Sequence, residues 1–171
     1  MSQAPARLDD ALATIADLVE RYAANRDQYQ TTAFTEENCR AAFITPLFEV
    51  LGWDVTNKAG YAEQYKDVVH EEDIKVGDYT KAPDYTFRVA GVRKFFVEAK
   101  KPFVDLKNDP APAYQLRRYA WSAKLPLSIL TDFEEIAVYD TRIRPKEGDK
   151  PSVGRILYLT FDELPTRLEE L

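Results

Sequence analysis

The stretch from Pro83 to Lys101 constrains the fold more than any other part of this 171-residue chain. Runs of β-branched and aromatic residues on either side of Ala90-Gly91 predict two antiparallel strands joined by a tight turn. Whether the turn is a plain two-residue loop or carries a one-residue bulge, Asp84 then lies beside or opposite Glu98. Because side chains alternate along a strand, Glu98 and Lys100 share one face.

Two carboxylates and an ammonium therefore meet at one end of an apolar hairpin, which costs folding energy unless the charges are compensated. A divalent cation would compensate them, since Mg²⁺ prefers oxygen ligands and usually takes only one or two carboxylates. The candidate ligands are Asp84, Glu98 and the carbonyl oxygen of Ala99. Lys100 would hold or deprotonate a water that attacks a phosphodiester. The alternative is a half-exposed strand with a surface ion pair, which is a common and weak feature.

A wider set of residues resembles a nuclease family. Pro83-Asp84 followed by Glu98-Ala99-Lys100 is similar to the PD-(D/E)xK nuclease motif. Together with the segments 66–70, 81–85, 96–102 and 114–120, it resembles the N-terminal nuclease domain of type IIG restriction enzymes, in which nuclease, methyltransferase and target recognition share one polypeptide. The nuclease domain at the start of type I restriction motor subunits (R subunits) is a more distant likeness. The resemblance covers residues 34 to 145.

This resemblance implies an α/β, restriction-endonuclease-like fold with a mixed central β-sheet flanked by helices. It implies a Mg²⁺-dependent, type II site-specific deoxyribonuclease cleavage domain that leaves 5′-phosphate ends, with Mn²⁺ able to substitute. The implied partners are double-stranded DNA and the methyltransferase and target-recognition regions of a longer chain. Since double-strand cleavage needs two active sites, dimerisation on DNA is also expected. The alternatives are a catalytically inactive DNA-binding or regulatory module and a protein-interaction domain.

Charge and composition narrow the class of protein further. The net charge is −6, yet residues 91–124 hold eight basic and three acidic side chains, so a basic patch surrounds the acidic pair. Lys101, Arg117 and Arg118 are its candidate DNA contacts. No apolar stretch could span a bilayer and no signal-peptide core is present, which predicts a cytoplasmic protein without a membrane partner. Cys39, the single cysteine, excludes an internal disulfide and multi-cysteine metal sites and is interpreted as core packing. His70, the single histidine, excludes multi-histidine zinc sites and is interpreted as structural or solvent-exposed.

Sequence patterns in the first third of the chain predict two helices. Apolar residues at helical spacing predict the first over 6–29. Thr35 is a good N-cap for the second, which carries Cys39 on its apolar face and should kink at Pro46. The resembling nucleases carry a glutamate beside the metal site on this helix. That implies an accessory acid at Glu36, with Glu37 as the near alternative, against a simple capping role.

A further helix follows the hairpin. Asp109-Pro110 predicts its start, with Asp as N-cap and Pro at the first helical position, and it should run to about Ala123. Gln115 and Tyr119 are four residues apart and so share a face. In many nucleases of the resembling class, a Gln-x-x-x-Tyr pair follows the Glu-x-Lys strand, which implies that these two residues support the site and touch DNA. Otherwise, Tyr119 packs in the core and Gln115 points to solvent.

The remaining patterns complete the expected organisation of the chain. Strands are predicted at 53–55, 125–131 and 135–140, with a parallel pair formed across the helix by a right-handed crossover, and residues 155–159 are either a last strand or a connector. Thr160 to Glu163 has the spacing of a capping box. We expect a single domain over 1–171, made of an N-terminal helix (1–33), a nuclease core (34–145) and a connector (146–171). The connector should begin a helix that leads into a further region.

Overall fold

The computed structural model describes residues 8–171. Its helices are α1 (Leu8–Ala24), α2 (Arg26–Tyr29), α3 (Glu36–Cys39), a π-helical turn (Arg40–Ile44), α4 (Thr45–Val50), α5 (Pro110–Ser122) and α6 (Leu164–Arg167), with 3₁₀ turns at Glu63–Tyr65, Phe161–Glu163 and Leu168–Glu170. Its strands are β1 (Val68–His70), β2 (Ile74–Val76), β3 (Tyr79–Lys81), β4 (Tyr85–Val89), β5 (Val92–Ala99), β6 (Leu127–Thr131), β7 (Glu135–Asp140) and β8 (Arg155–Thr160). Across this part of the chain, every helix is too short or too polar to cross a membrane.

A six-stranded mixed sheet forms the centre of the fold, in the order β1-β4-β5-β6-β7-β8, and β2 and β3 pair separately. All neighbours in the large sheet are antiparallel except β5 and β6, which run parallel. Helix α5 makes the crossover between these two strands, as expected. The predicted mixed sheet flanked by helices is therefore confirmed.

The central hairpin forms as predicted. It has the register of a plain two-residue loop next to the turn and the register of a one-residue bulge further along. The turn residues at 90–91 have positive φ angles of 50° and 76°, which suit the tight turns that join twisted strands. A one-residue shift inside β4 then changes the register, so that Tyr85 lies opposite Val97. One step further along the same register, Asp84 faces Glu98.

The sheet carries one apolar core on each face. The first core packs α1, the segment from Glu36 to Val50 and α6 against the sheet; its buried members include Ile15, Tyr22, Cys39, Phe43, Leu47, Tyr85, Val97, Ala99, Phe133 and Leu164. The second core packs α5 and the β2–β3 hairpin against the other face; its buried members include Ile74, Val76, Phe96, Leu116, Tyr119, Ala120 and Leu130. Residues that alternate along β5 thus enter different cores, and the end of β5 lies between two packed layers.

The helix predicted over 6–29 is two helices. Its first two residues lie outside the described part of the chain, and the helix breaks at Asn25 between α1 and α2. The next helix begins as predicted, because the Thr35 hydroxyl accepts the backbone N–H of Asn38 at 3.1 Å. A π-helical turn then ends at Ile44, two residues before Pro46. Proline has no N–H to offer the carbonyl of Ala42, and the Arg21 side chain donates to that oxygen instead, at 2.7 Å.

The strand predicted at 53–55 is wrong. The side chain of Asp54 accepts the backbone N–H groups of Lys58 at 2.7 Å and Ala59 at 2.9 Å, which folds this segment into a turn. The strand at this edge of the sheet is instead β1, within a stretch for which sequence patterns predicted no regular structure.

The C-terminal elements agree closely with prediction. Strand β7 has the predicted bounds, β6 begins two residues later and β8 ends one residue later. The capping box at Thr160 forms, with its backbone N–H donating to Glu163 Oε2 at 2.9 Å. The buried Cys39 donates its thiol to the carbonyl oxygen of Asp132 at 3.2 Å, which confirms its structural role.

Candidate active site

Asp84 and Glu98 form a buried acidic pair at one end of the hairpin. Their exposed fractions are only 8% and 5%. Asp84 Oδ2 accepts the backbone N–H of Ala99 at 2.7 Å, and Glu98 Oε2 accepts the backbone N–H of Asp84 at 3.4 Å. Each carboxylate is thus oriented by the backbone of the neighbouring strand, so the register of the hairpin sets the distance between them.

Burial makes these two carboxyl groups reluctant to ionise. It raises the pKa of Glu98 to about 7, and the nearby charge of Asp84 contributes to that increase. Burial also raises the pKa of Asp84, although the backbone N–H of Ala99 opposes the change. Binding of a cation is favourable beside two neighbouring carboxyl groups with raised pKa values, because the cation stabilises their ionised forms.

Lys100 reaches the acidic pair through Gln115. The Lys100 Nζ donates to Gln115 Oε1 at 3.0 Å and lies 3.7 Å from Glu98 Oε1. The amide nitrogen of Gln115 donates to Glu98 Oε1 at 3.2 Å and to the Tyr119 hydroxyl at 3.0 Å. With an ammonium on one side and a carboxylate on the other, only this orientation of the amide satisfies all its neighbours. Gln115 therefore fixes the lysine relative to the carboxylate.

The start of α5 determines which of its residues reach the site. Asp109 Oδ1 accepts the backbone N–H of Ala111 at 3.0 Å, which confirms the predicted cap. Leu116 and Ala120 are fully buried against the sheet. Since Gln115 and Tyr119 precede these two positions by one residue, they share the adjacent face and point towards Glu98 and Lys100.

Arg40 reaches the same site from the opposite layer, and sequence patterns did not single it out. Its Nη1 donates to Asp84 Oδ1 at 3.3 Å and lies 3.7 Å from Glu71 Oε1. Its guanidinium lies over the ring of Tyr85, at 4.8 Å from the centroid, and its Nη2 is 3.5 Å from His70 Nδ1. The signal available in the sequence was the four-residue spacing from Glu36, which puts the two side chains on one helix face.

Glu36 and Glu37, the two candidates for the accessory acid, differ in their exposure to solvent. Glu36 is half-buried, and burial together with the charge of Asp84 raises its pKa, whereas Glu37 is exposed. Both line a cleft of about 730 Å³ next to Asp84, which also contains Arg40 and Lys101. Glu36 is therefore electrostatically coupled to Asp84, as an accessory acid beside the pair would be.

The donor set is limited to two carboxylates. Within residues 8–171, no group of three or more His, Cys, Asp or Glu side chains is arranged to hold a metal ion, so Glu36 does not complete a three-carboxylate cluster. Asp84 and Glu98, with a backbone carbonyl such as that of Ala99, match the few protein ligands that Mg²⁺ usually takes. The raised pKa values of both acids agree with a pair that a cation would stabilise.

The three residues predicted to contact DNA lie in different environments. Lys101 lines the cleft beside Asp84, and Arg118 is half-exposed on α5. Arg117 is buried instead, with 1% of its surface exposed, and its Nη1 pairs with Asp149 Oδ2 at 2.8 Å. Its prediction as a DNA contact is therefore corrected: it holds the loop after β7 against α5. Its spacing from Ala113 and Ala120 already placed it on the apolar face of the helix.

The fold and the candidate site are both compatible with the class of protein expected from the sequence. A six-stranded mixed sheet between helical layers, with charged side chains gathered at the end of the parallel strand pair, is compatible with the restriction-endonuclease-like fold. A comparison with solved structures gives no match.

Residues 33–147 match the model of the family described as type I restriction enzyme R protein N terminus, and the chain belongs to this family. The chain is also 42% identical over 156 residues to the type II restriction enzyme and methyltransferase RM.Eco57I of Escherichia coli. This alignment covers 90% of the chain and 16% of that protein, so the chain spans a small part of its relative. The predicted resemblance to the N-terminal nuclease domains of restriction enzymes is confirmed, and the matched region contains every residue of the site described above.

Proposed function

We propose that this chain is a Mg²⁺-dependent DNA endonuclease domain, the cleavage module of a type IIG-like restriction-modification enzyme. The observation that carries the proposal is the buried pair of Asp84 and Glu98, joined to Lys100 through the amide of Gln115. Similarity to a fused restriction enzyme and methyltransferase supports the same conclusion. A surface ion pair would show neither the burial nor the shared hydrogen bonds.

Each residue of the site has a distinct role in this proposal. Asp84, Glu98 and the carbonyl of Ala99 hold the cation, which when bound stabilises negative charge on the phosphate and makes a water easier to deprotonate. Lys100 holds the attacking water with its Nζ, close to Glu98 Oε1. Gln115 keeps Lys100 and Glu98 in register, and the Tyr119 hydroxyl supports the Gln115 amide.

The accessory residues act around this centre. Glu36 acts through water, because it forms no three-carboxylate cluster with Asp84 and Glu98 among the described residues. Lys101, in the cleft beside Asp84, and Arg118, on the exposed side of α5, contact the phosphates of double-stranded DNA. The methyltransferase and target-recognition functions that accompany such domains supply site specificity, and two copies of the domain meet on DNA to cut both strands.

Cleavage of supercoiled plasmid with Mg²⁺ or Mn²⁺ tests the proposal. The wild-type chain and Lys100→Ala should be purified identically and compared, with Lys94→Ala as the matched control. Lys94 lies on β5, the strand that ends directly before Lys100, but it is exposed and close to the hairpin turn, away from the acidic pair. We expect metal-dependent nicking by the wild type and by Lys94→Ala, and its loss in Lys100→Ala. The nicked ends should be sealed by DNA ligase, as 5′-phosphate ends are.

Binding of the cation gives an independent reading of the same site. In a thermal unfolding experiment with Mg²⁺ or Mn²⁺, the wild type should be stabilised and Asp84→Ala should not. Equal stabilisation of both proteins would contradict the assignment of the metal ligands. Cation binding without any nicking, at protein concentrations high enough for two copies to share one plasmid, would favour a DNA-binding module over an enzyme.

A further inference from the structure

Arg40 occupies the one carboxylate oxygen of Asp84 that the backbone leaves free. Asp84 Oδ2 accepts the N–H of Ala99 at 2.7 Å, whereas Oδ1 accepts from Arg40 Nη1 at 3.3 Å. A cation that binds Asp84 through Oδ1 would meet the guanidinium on the same atom. Because like charges repel strongly in a half-buried site, Arg40 and a divalent cation oppose each other there.

The contacts of Arg40 are numerous, but each of them is long. They measure 3.3 Å to Asp84 Oδ1, 3.5 Å to the Asp84 carbonyl oxygen, 3.5 Å to His70 Nδ1 and 3.7 Å to Glu71 Oε1. Charge-assisted hydrogen bonds of arginine are typically near 2.8 Å. The guanidinium rests on the Tyr85 ring, so it can turn about its own axis without leaving this apolar support. Arg40 is therefore held in place without being locked to one partner.

The cleft beside Arg40 is poorly suited to a phosphate unless positive charge is added. Six lysine, arginine, aspartate and glutamate side chains line the cleft, four of them carboxylates and two of them basic: Glu36, Glu37, Glu71, Asp84, Arg40 and Lys101. Repulsion from the acids keeps a DNA phosphate out of this cleft. A divalent cation at Asp84 and Glu98 offsets most of this excess negative charge, and the fork of Arg40 then matches two oxygens of an incoming phosphate.

We propose that Arg40 is a positioning residue that couples cation binding to DNA binding: it pairs with Asp84 before the cation binds, and with a DNA phosphate afterwards. This rests on the function proposed above. The coupling is reciprocal, because a phosphate that takes Arg40 away from Asp84 strengthens cation binding by the same factor as the cation strengthens DNA binding.

The test measures the affinity of the chain for Ca²⁺ by isothermal titration calorimetry, with and without a short DNA duplex. Ca²⁺ is used because it also takes oxygen ligands, and gel analysis of the duplex after titration verifies that it stays intact. In the wild type we expect the duplex to tighten Ca²⁺ binding by about tenfold, a typical strength for coupled sites. Arg40→Ala should bind Ca²⁺ more tightly than the wild type in the absence of DNA, and should lose most of the coupling.

Two further variants sharpen this result. Arg40→Lys keeps the charge and lacks the fork, so its Ca²⁺ affinity without DNA should stay near the wild-type value while the coupling falls. Arg88→Ala is the matched control, since Arg88 is also mostly buried and paired with a glutamate, but lies at the far end of β4. It should leave both the affinity and the coupling unchanged.

The outcomes separate this inference from the function on which it rests. If Arg40→Ala binds Ca²⁺ no more tightly than the wild type, or if Arg40→Lys keeps the full coupling, the role assigned to Arg40 is wrong. If the wild type and Asp84→Ala bind Ca²⁺ equally, the metal site itself is wrong. If circular dichroism shows that Arg40→Ala does not fold, Arg40→Lys alone tests the role of Arg40: reduced coupling supports it, and full coupling contradicts it.

Discussion

Replacing Glu98 with glutamine tests whether the acidic pair is maintained at a cost to stability. Burial, together with the charge of Asp84, raises the pKa of Glu98 from the ordinary 4.5 to about 7. A carboxyl with a higher pKa in the folded protein than in the unfolded chain binds its proton more tightly when folded. Without a cation, the wild type should therefore lose stability as the pH rises from about 4.5 to about 7, and the loss should be complete above that range.

The size of the effect follows from the same values. A tenfold difference in proton affinity corresponds to about 1.4 kcal/mol, so the change from 4.5 to about 7 amounts to about 3 kcal/mol at pH 8. Glutamine avoids this cost because it carries no charge. Its NH₂ group, however, must face the N–H of Asp84 or the amide of Gln115, and losing one hydrogen bond offsets about 1 kcal/mol. We expect Glu98→Gln to be about 2 kcal/mol more stable than the wild type at pH 8.

Urea unfolding in EDTA, followed by circular dichroism between pH 5 and pH 8, measures this difference. The advantage of Glu98→Gln should grow as the pH rises, and a difference that stays constant with pH would refute the reasoning. Glu72→Gln is a control of opposite sign. Burial opposes the change, but the hydrogen bond from Arg93 and the charges of Arg93 and Arg88 lower the pKa of Glu72. Its replacement should therefore destabilise the protein most at neutral pH.

Three further predictions address the site and its support. Gln115→Ala should reduce the nicking rate by about 10- to 100-fold, because it releases both Glu98 and Lys100; an unchanged rate would contradict the bridging role. Mg²⁺ should raise the melting temperature more at pH 8 than at pH 6, since binding must displace the proton of Glu98, and thermal scans at both values measure this. Phe43→Ala should cost about 3–5 kcal/mol in urea unfolding, because this fully buried ring contacts three other aromatic rings.

The hairpin and its acidic pair could be predicted because short-range rules determine them. The turn at 90–91 sets the register to within one residue, and alternation along the strand then places Asp84 against Glu98. The cap at Asp109 likewise determines the phase of α5, and with it the face shared by Gln115 and Tyr119. Each of these predictions needed only a few neighbouring residues. The structure brings Asp84, Glu98, Lys100, Gln115 and Tyr119 together.

Of the features that sequence patterns missed, one depends on a local side-chain contact and two depend on contacts between distant segments. Trp53 to Val55 has the composition of a strand, yet the carboxylate of Asp54 captures the backbone of the following turn. Arg117 has a polar head group, but its position on the apolar face of α5 buries it, and Asp149, 32 residues away, provides its partner. Arg40 belongs to the site because a π-helical turn and the start of β4 meet there; its four-residue spacing from Glu36 indicates a shared helix face but not the contact with Asp84.

The end of β5 can hold a costly group of charges because apolar packing secures it from both sides. Val97 and Ala99 are fully buried in the core that carries Arg40, and Phe96 is fully buried in the core that carries Gln115. The sheet thus sets the positions of the two carboxylates, while each layer contributes a partner for one of them: Arg40 for Asp84, Gln115 for Glu98. Because the two partners belong to different layers, the Arg40 side can respond to a phosphate while the Gln115 side keeps Lys100 aligned with Glu98.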